Sequence, residues 1–461
     1  MDLNINLNKE ILRLAAPAII NNITVPLLGL CDTAIAGHLG AASYLGAIAV
    51  GSMMLNVFFW LAGFLRMGTT GLTARSLGRG SIRQCKEVLR KSMMMVCIIS
   101  IVVIMARSPL LDTLLYLIKP SEDSARLAGL YFSIGVWWVP AQLIIMTVSG
   151  WFIGLQSTVV PMTIAIFTNV INIVLSILFA FVLHKGFEGI AFGTLCANWI
   201  GALAAIIWAL SRYRRLENRF TNTISNGAGK NREEKNESGP GHGNYIGETR
   251  IRWRELFSVN GALFVRSACI MAVTLTVTSV GARLGELTLA ANAVIMQFFF
   301  FFSYFMDGFA FSGEALVGKF NGMRRPDMVV KTMSALCKWG GGMALVFFII
   351  YLFGNREITS LLTDTEIVRQ EIEHFRIWIL LLPPVTVSAF IFDGIFVGLT
   401  RTRDMMWVTI AGAFSFFTIL FITGLEMNNN LLWGAFETYL FIRGAALAAI
   451  FVNYFKKEVR N

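Results

Sequence analysis

Charge is scarce in this chain. Asp, Glu, Lys and Arg make up 15% of its 461 residues, against about a quarter in soluble globular proteins. A soluble globular domain is therefore excluded as the first reading. Histidine is scarcer still: His38, His184, His242 and His374 stand singly, so no His–carboxylate cluster resembles a metal site, and no nucleophile motif is present. An enzyme is not expected, and neither is a cofactor or a bound metal. The six cysteines, Cys31, Cys85, Cys97, Cys196, Cys269 and Cys337, show no paired spacing. They read as small apolar residues, not as a disulfide or metal framework.

What is abundant is apolar sequence, at 56% of the chain. Runs of twenty or more such residues recur with little between them. They fall near 9–36, 42–67, 88–108, 127–150, 157–183, 188–211, 256–282, 287–313, 329–353, 373–398, 404–423 and 430–455, which predicts an all-α integral membrane protein with twelve transmembrane helices. The first run is too long for a cleavable signal, contains Pro17 and Pro26, and is expected to be a true span. FFFFF at 298–302 and WW at 137–138 read as lipid-facing or interhelical packing, with interfacial anchoring open to the tryptophans.

Lys and Arg set the orientation. The loop after the second run carries Arg75, Arg79, Arg83, Lys86, Arg90 and Lys91, and the segment after the sixth run is also strongly basic, whereas the loop before the tenth is acidic. Both termini are thus expected in the cytoplasm, the chain lying in the inner membrane. The net charge of +11 is absorbed by loops facing anionic lipid. Nucleic acid is not expected as a partner; the lipid bilayer and small organic molecules are, with the chain a monomer.

The chain repeats itself at an offset of 244 residues. Pro140, Gly150, Phe152, Gly154, Leu155 and Thr158 fall on Pro384, Gly394, Phe396, Gly398, Leu399 and Thr402, and ALAAI at 202–206 recurs at 446–450. Six spans per half is an even number, so both halves enter the membrane from one side. Two six-helix lobes related by a pseudo-two-fold axis along the membrane normal follow. The lobes are assigned to 1–221 and 250–461, joined by a polar cytoplasmic linker at 222–249. Its GAGK tetrapeptide lacks the spacing and preceding strand of a phosphate loop.

Polar residues inside spans take a depth from the helical rise. Asp32 lies in the outer half of the first span. Asn169, Asn172 and Ser176 form one stripe on the fifth span, and Thr194 and Asn198 begin the sixth. Asp32, Asn172, Ser176 and Thr194 share a depth and predict a polar pocket, to which Asn22, Asn169 and Asn198 are added; interhelical hydrogen bonding is the competing role of the amides. Arg66 lies roughly 25 Å from Asp32 in depth, so Asp32 has no evident cation and suits reversible protonation. Pro26, six residues earlier, removes a backbone hydrogen bond and marks a possible hinge, against a static kink.

In the second half Arg266, Asp307, Asp393 and Arg443 read as a mutually neutralising network. Asp307, Asp393 and Asp32 fall on Gly63, Ser149 and Thr276 at the repeat offset. The halves are therefore chemically unequal.

NNITVPLLGLCDTAIAGHLG at 21–40, LRMGTTGLTA at 65–74, NVINIVL at 169–175, DGFAFSGEA at 307–315 and DGIFVG at 393–398 resemble the multidrug and toxic compound extrusion family, in its DinF-like branch. The resemblance covers nearly the whole chain. It implies the twelve-span, two-lobed fold and cation-coupled export of amphipathic, often cationic, compounds. It also implies a coupling role for Asp32 with bending at Pro26. In that branch the stripe of Asn169 and Asn172 usually ends on an aspartate, where this chain has Ser176. A lone acid suits proton better than sodium, which prefers several oxygen ligands; sodium stays open, since Asn, Ser and Thr supply oxygens. A flippase for lipid-linked precursors is the alternative, and it would need a strongly cationic cavity. The sequence names no substrate.

Overall fold

The computed structural model describes residues 6–39, 42–118, 122–230, 250–422 and 428–460. Among them it holds fifteen α-helices. In the first half these are α1 (Leu7–Gly37), α2 (Ala42–Gly78), α3 (Ile82–Met105), α4 (Arg107–Ile118), α5 (Glu122–Gly135), α6 (Val139–Gly154), α7 (Val159–Ile177) and α8 (Gly186–Lys230). The second half holds α9 (Trp253–Leu284), α10 (Glu286–Gly322), α11 (Pro326–Leu362), α12 (Glu366–His374), α13 (Arg376–Gly398), α14 (Thr402–Ile422) and α15 (Asn429–Arg460). The joining segment was expected at 222–249. Its residues 231–249 lie outside the described residues, and α8 runs on to Lys230.

Among the described residues eleven helices are long and apolar enough to cross a membrane, and the pair α5 and α6 supplies a twelfth crossing bent by 55°. One unbroken helix had been expected at 127–150. Pro140 has no N–H, and its ring would collide with the carbonyl of Val136 in a continuing helix. The chain therefore breaks between Gly135 and Val139. Trp138 is buried in the break with its ring 5.5 Å from that of Tyr131, while Trp137 is exposed under the guanidinium of Arg107. The FFFFF run divides likewise: Phe298 and Phe302 are buried in the second half and Phe301 faces outward. Phe353, Phe414, Phe421 and Ile422 are among the large apolar side chains left on the exterior, as a lipid-facing surface requires. All six cysteines are free thiols.

The packing obeys the repeat. α2 packs on α6 as α10 packs on α13, α7 on α8 as α14 on α15, and α1 on α7 as α9 on α14. The shared glycines show why those identities exist. A side chain at Gly150 would meet the Arg66 carbonyl, and one at Gly394 would meet the Ala310 carbonyl, its counterpart 244 residues on. Gly154 lies against Thr70 and Thr73 just as Gly398 lies against Glu314 and Val317. Each glycine lets two helices touch backbone to backbone. Gly394→Ala should push α13 off α10 and cost about 1–3 kcal/mol, measured as an earlier unfolding midpoint in a denaturing-detergent titration.

The same contacts locate the symmetry axis. Gly318 meets Ala74, and Gly322 meets Gly78, each residue touching its own counterpart. Such pairs lie on the axis, and two of them one turn apart along α2 and α10 align the axis with those helices. Membrane-crossing helices thus place it along the membrane normal. The first helix of each half also leans on the other half, α1 on α10 and α9 on α2.

Candidate functional site

Asp32 is 7% exposed on α1. Its Oδ1 is enclosed without a hydrogen-bond partner, and among the described residues no cation pairs with it. One polar group that its charge acts on is Tyr131 of α5, held just before the break. Its hydroxyl engages those of Ser52 on α2 and Thr194 on α8.

From there a polar chain continues into the first half. Thr194 Oγ1 donates to the Ile190 carbonyl at 3.1 Å, Ser176 Oγ reaches the same carbonyl at 3.5 Å, and Ser176 also donates to Asn172 Oδ1 at 3.3 Å. Asn172 Nδ2 is buried without a partner. Asp32, Tyr131, Ser52, Thr194, Ser176 and Asn172 thus form one connected polar series. Tyr131 and Ser52 had not been singled out, because an ordinary Tyr and Ser in apolar runs carry no spacing signal.

The remaining candidates separate. Asn169 donates to the Thr24 carbonyl at 3.2 Å, tying α7 to α1 two residues before Pro26. Asn198 donates to Thr194 within its own helix at 2.9 Å. Asn22 does not join the pocket: its amide donates to the Tyr304 carbonyl of α10 at 3.1 Å. Helix α1 lies between the halves, and Asn22 is on the face turned to the second. Pro26 lies inside α1, which is continuous from Leu7 to Gly37.

In the second half Asp393 Oδ2 accepts from Arg266 on α9 and, at 2.6 Å, from Arg443 on α15; Arg443 also donates to the Tyr439 hydroxyl at 3.3 Å. Three of the four expected members are joined. Asp307 makes no ion pair among the described residues, although Arg66, Asp393, Glu314 and Arg266 act on it electrostatically.

Arg66 reaches across from the first half. It forms two hydrogen bonds to Glu314, at 3.1 and 3.3 Å, with its guanidinium 3.9 Å from the centre of the Phe311 ring. Further ties between the halves gather towards the same basic end. Arg75 pairs with Glu255 and donates to Thr400, Lys91 donates to the Ile251 carbonyl, and Gln156 donates to the Ala315 carbonyl at 2.7 Å. Among the described residues no group of His, Cys, Asp and Glu is arranged to hold a metal ion.

The MatE family profile matches residues 17–178 and again 262–422, the length of one repeat apart. The chain belongs to the MatE family. Over 454 residues it is 31% identical to DNA damage-inducible protein F of Escherichia coli K12, spanning 97% of this chain and 93% of that one. The probable multidrug resistance protein NorM of Thermotoga maritima is 26% identical over 207 residues, 42% of this chain and 43% of the relative. A MATE crystal structure in the bent conformation superposes with a TM-score of 0.82 at 16% identity, covering 99% and 98% of the two chains. MatE membership thus agrees with the twelve-crossing, two-lobed architecture.

Proposed function

We propose that this MatE protein is a proton-coupled antiporter. It exports amphipathic, often cationic, organic compounds by alternating access, with protonation of Asp32 coupled to bending of α1 near Pro26. The observation that carries the reading is the placement of Asp32: a buried acid whose charge acts on Tyr131, itself bonded to Thr194, with no cation paired to it among the described residues. An acid inside a membrane bundle is costly unless it binds something positive during its work, and a proton needs one ligand where sodium needs several. The relative named as a multidrug resistance protein supports the substrate class. The lobes are assigned to 1–221 and 250–461, joined by 222–249. The basic end, where α2 finishes and α9 begins, is placed in the cytoplasm on its Arg and Lys content, with both termini on that side of the inner membrane.

Coupling through this acid has a mechanical route. Pro26 lacks an N–H, so α1 is weakest there, and Asn169 grips the helix at Thr24 on one side of that point while Asp32 sits on the other. Neutralising Asp32 changes what holds the outer segment of α1 against the pocket, while the inner segment stays fixed to α7. Everted vesicles given external ethidium test the ion: its uptake should follow an imposed acid-inside proton gradient and ignore a sodium gradient. Transport driven by sodium alone would remove the proton assignment and leave the exporter.

A further inference from the structure

Glu437, on the last helix, is a buried acid that the scheme above does not use. It is 5% exposed, and Oε1 is enclosed with no hydrogen-bond partner, the arrangement found at Asp32. Helix α15 packs on α13, α14, α9 and α11, and several of the charged and titratable groups those helices carry are bonded to other partners. Asp393 of α13, Arg266 of α9 and Arg443 and Tyr439 of α15 are bound to one another. Arg376 of α13 pairs with Glu373, Tyr351 of α11 donates to the Phe298 carbonyl, and Asp404 of α14 pairs with Arg401, with Arg403 bonded to Ser258. Glu437 makes no ion pair among the described residues.

Its surroundings suit a proton. Helices α13 and α15 run parallel in register, Gly434 facing Trp378 and Gly444 facing Ser388, so Glu437 stands level with Leu381. Pro383 and Pro384 lie inside α13 just beyond, and because neither has an N–H, the carbonyls of Ile379 and Leu380 lose their usual helical donors. A protonated carboxyl can donate a hydrogen bond at this level, and a carboxylate cannot. The first half has no equivalent acid. The counterpart position is Gly193, where any side chain would run into Ser176.

We propose that Glu437 is a second proton-carrying carboxylate, so that each cycle moves one proton at Asp32 and one at Glu437. The inference builds on the antiport reading, and counting protons separates the two. The purified full-length protein in weakly buffered detergent, with a pH-indicator dye, is titrated with ethidium. Wild type should release two protons per ethidium bound, Glu437→Gln one, Asp32→Asn one, and the double variant none. Release from Glu437→Gln equal to wild type overturns the role of Glu437, whatever Asp32→Asn does; full release from Asp32→Asn instead overturns the role of Asp32. Should Glu437→Gln not fold, Glu437→Asp retains the carboxyl. In infrared difference spectra the ethidium-sensitive protonated-carboxyl band should then move from isotope-labelled glutamate to labelled aspartate. A band that stays with glutamate, or no such band, overturns the proposal.

Discussion

Replacing Asp32 with asparagine should bring proton-driven ethidium uptake into everted vesicles down to the level of vesicles without the protein, while ethidium binding in detergent persists. Asparagine has the shape of the protonated acid and cannot release a proton, so the variant is fixed in one of the two charge states the cycle needs. The side chain makes no ion pair among the described residues, which keeps the folding cost of the exchange small: no buried partner is stranded by it. Loss of transport with retained expression and binding therefore reads on coupling. Undiminished proton-driven uptake by Asp32→Asn vesicles would sink the proposed role of Asp32.

The largest loss of stability should come from Asp393→Leu. The carboxylate is the shared counter-charge of Arg266 and Arg443, both themselves buried. Removing it leaves two guanidiniums uncompensated, and breaking a buried pair by taking one partner costs about 3–5 kcal/mol. The expected result is little or no monodisperse protein after detergent extraction. A triple variant, Arg266→Met with Asp393→Leu and Arg443→Met, removes all three charges and should recover most of the lost yield, because apolar replacement of a complete buried network is often neutral. If the single variant is as stable as wild type, Asp393 is not what neutralises the two arginines.

Much of this architecture was legible in the sequence. A run of twenty apolar residues admits few alternatives, and the offset of 244 residues is built from glycines and prolines whose reason is steric. Gly150 and Gly394 are shared because each faces a carbonyl. Depth was readable too, since helical rise turns residue number into height, and it placed Asp32, Asn172, Ser176 and Thr194 together. Height says nothing of azimuth. A helix such as α1, with neighbours from both halves, could turn Asn22 to either, and it turns it to Tyr304. The break after Gly135 was missed because the apolar pattern runs through it unchanged, although Pro140 was a visible signal. Glu437 was equally visible in an apolar span, yet depth alone could not show that its carboxyl is enclosed without a hydrogen-bond partner.

The axis contacts of Gly78 with Gly322 and Ala74 with Gly318 carry a kinetic consequence. They are dispersion contacts of backbone and a single methyl group, and a gap of 0.5–1 Å already forfeits about a quarter to a half of such an attraction. Flexible side chains would stretch to follow a separating surface; a glycine has nothing to extend. These contacts should therefore give way first, leaving the longer side chains of Arg75, Lys91 and Gln156 to hold the basic end. Their share of the grip is lost once the halves part by a fraction of an ångström, and the load then passes to those side chains, so the basic end should open in two stages.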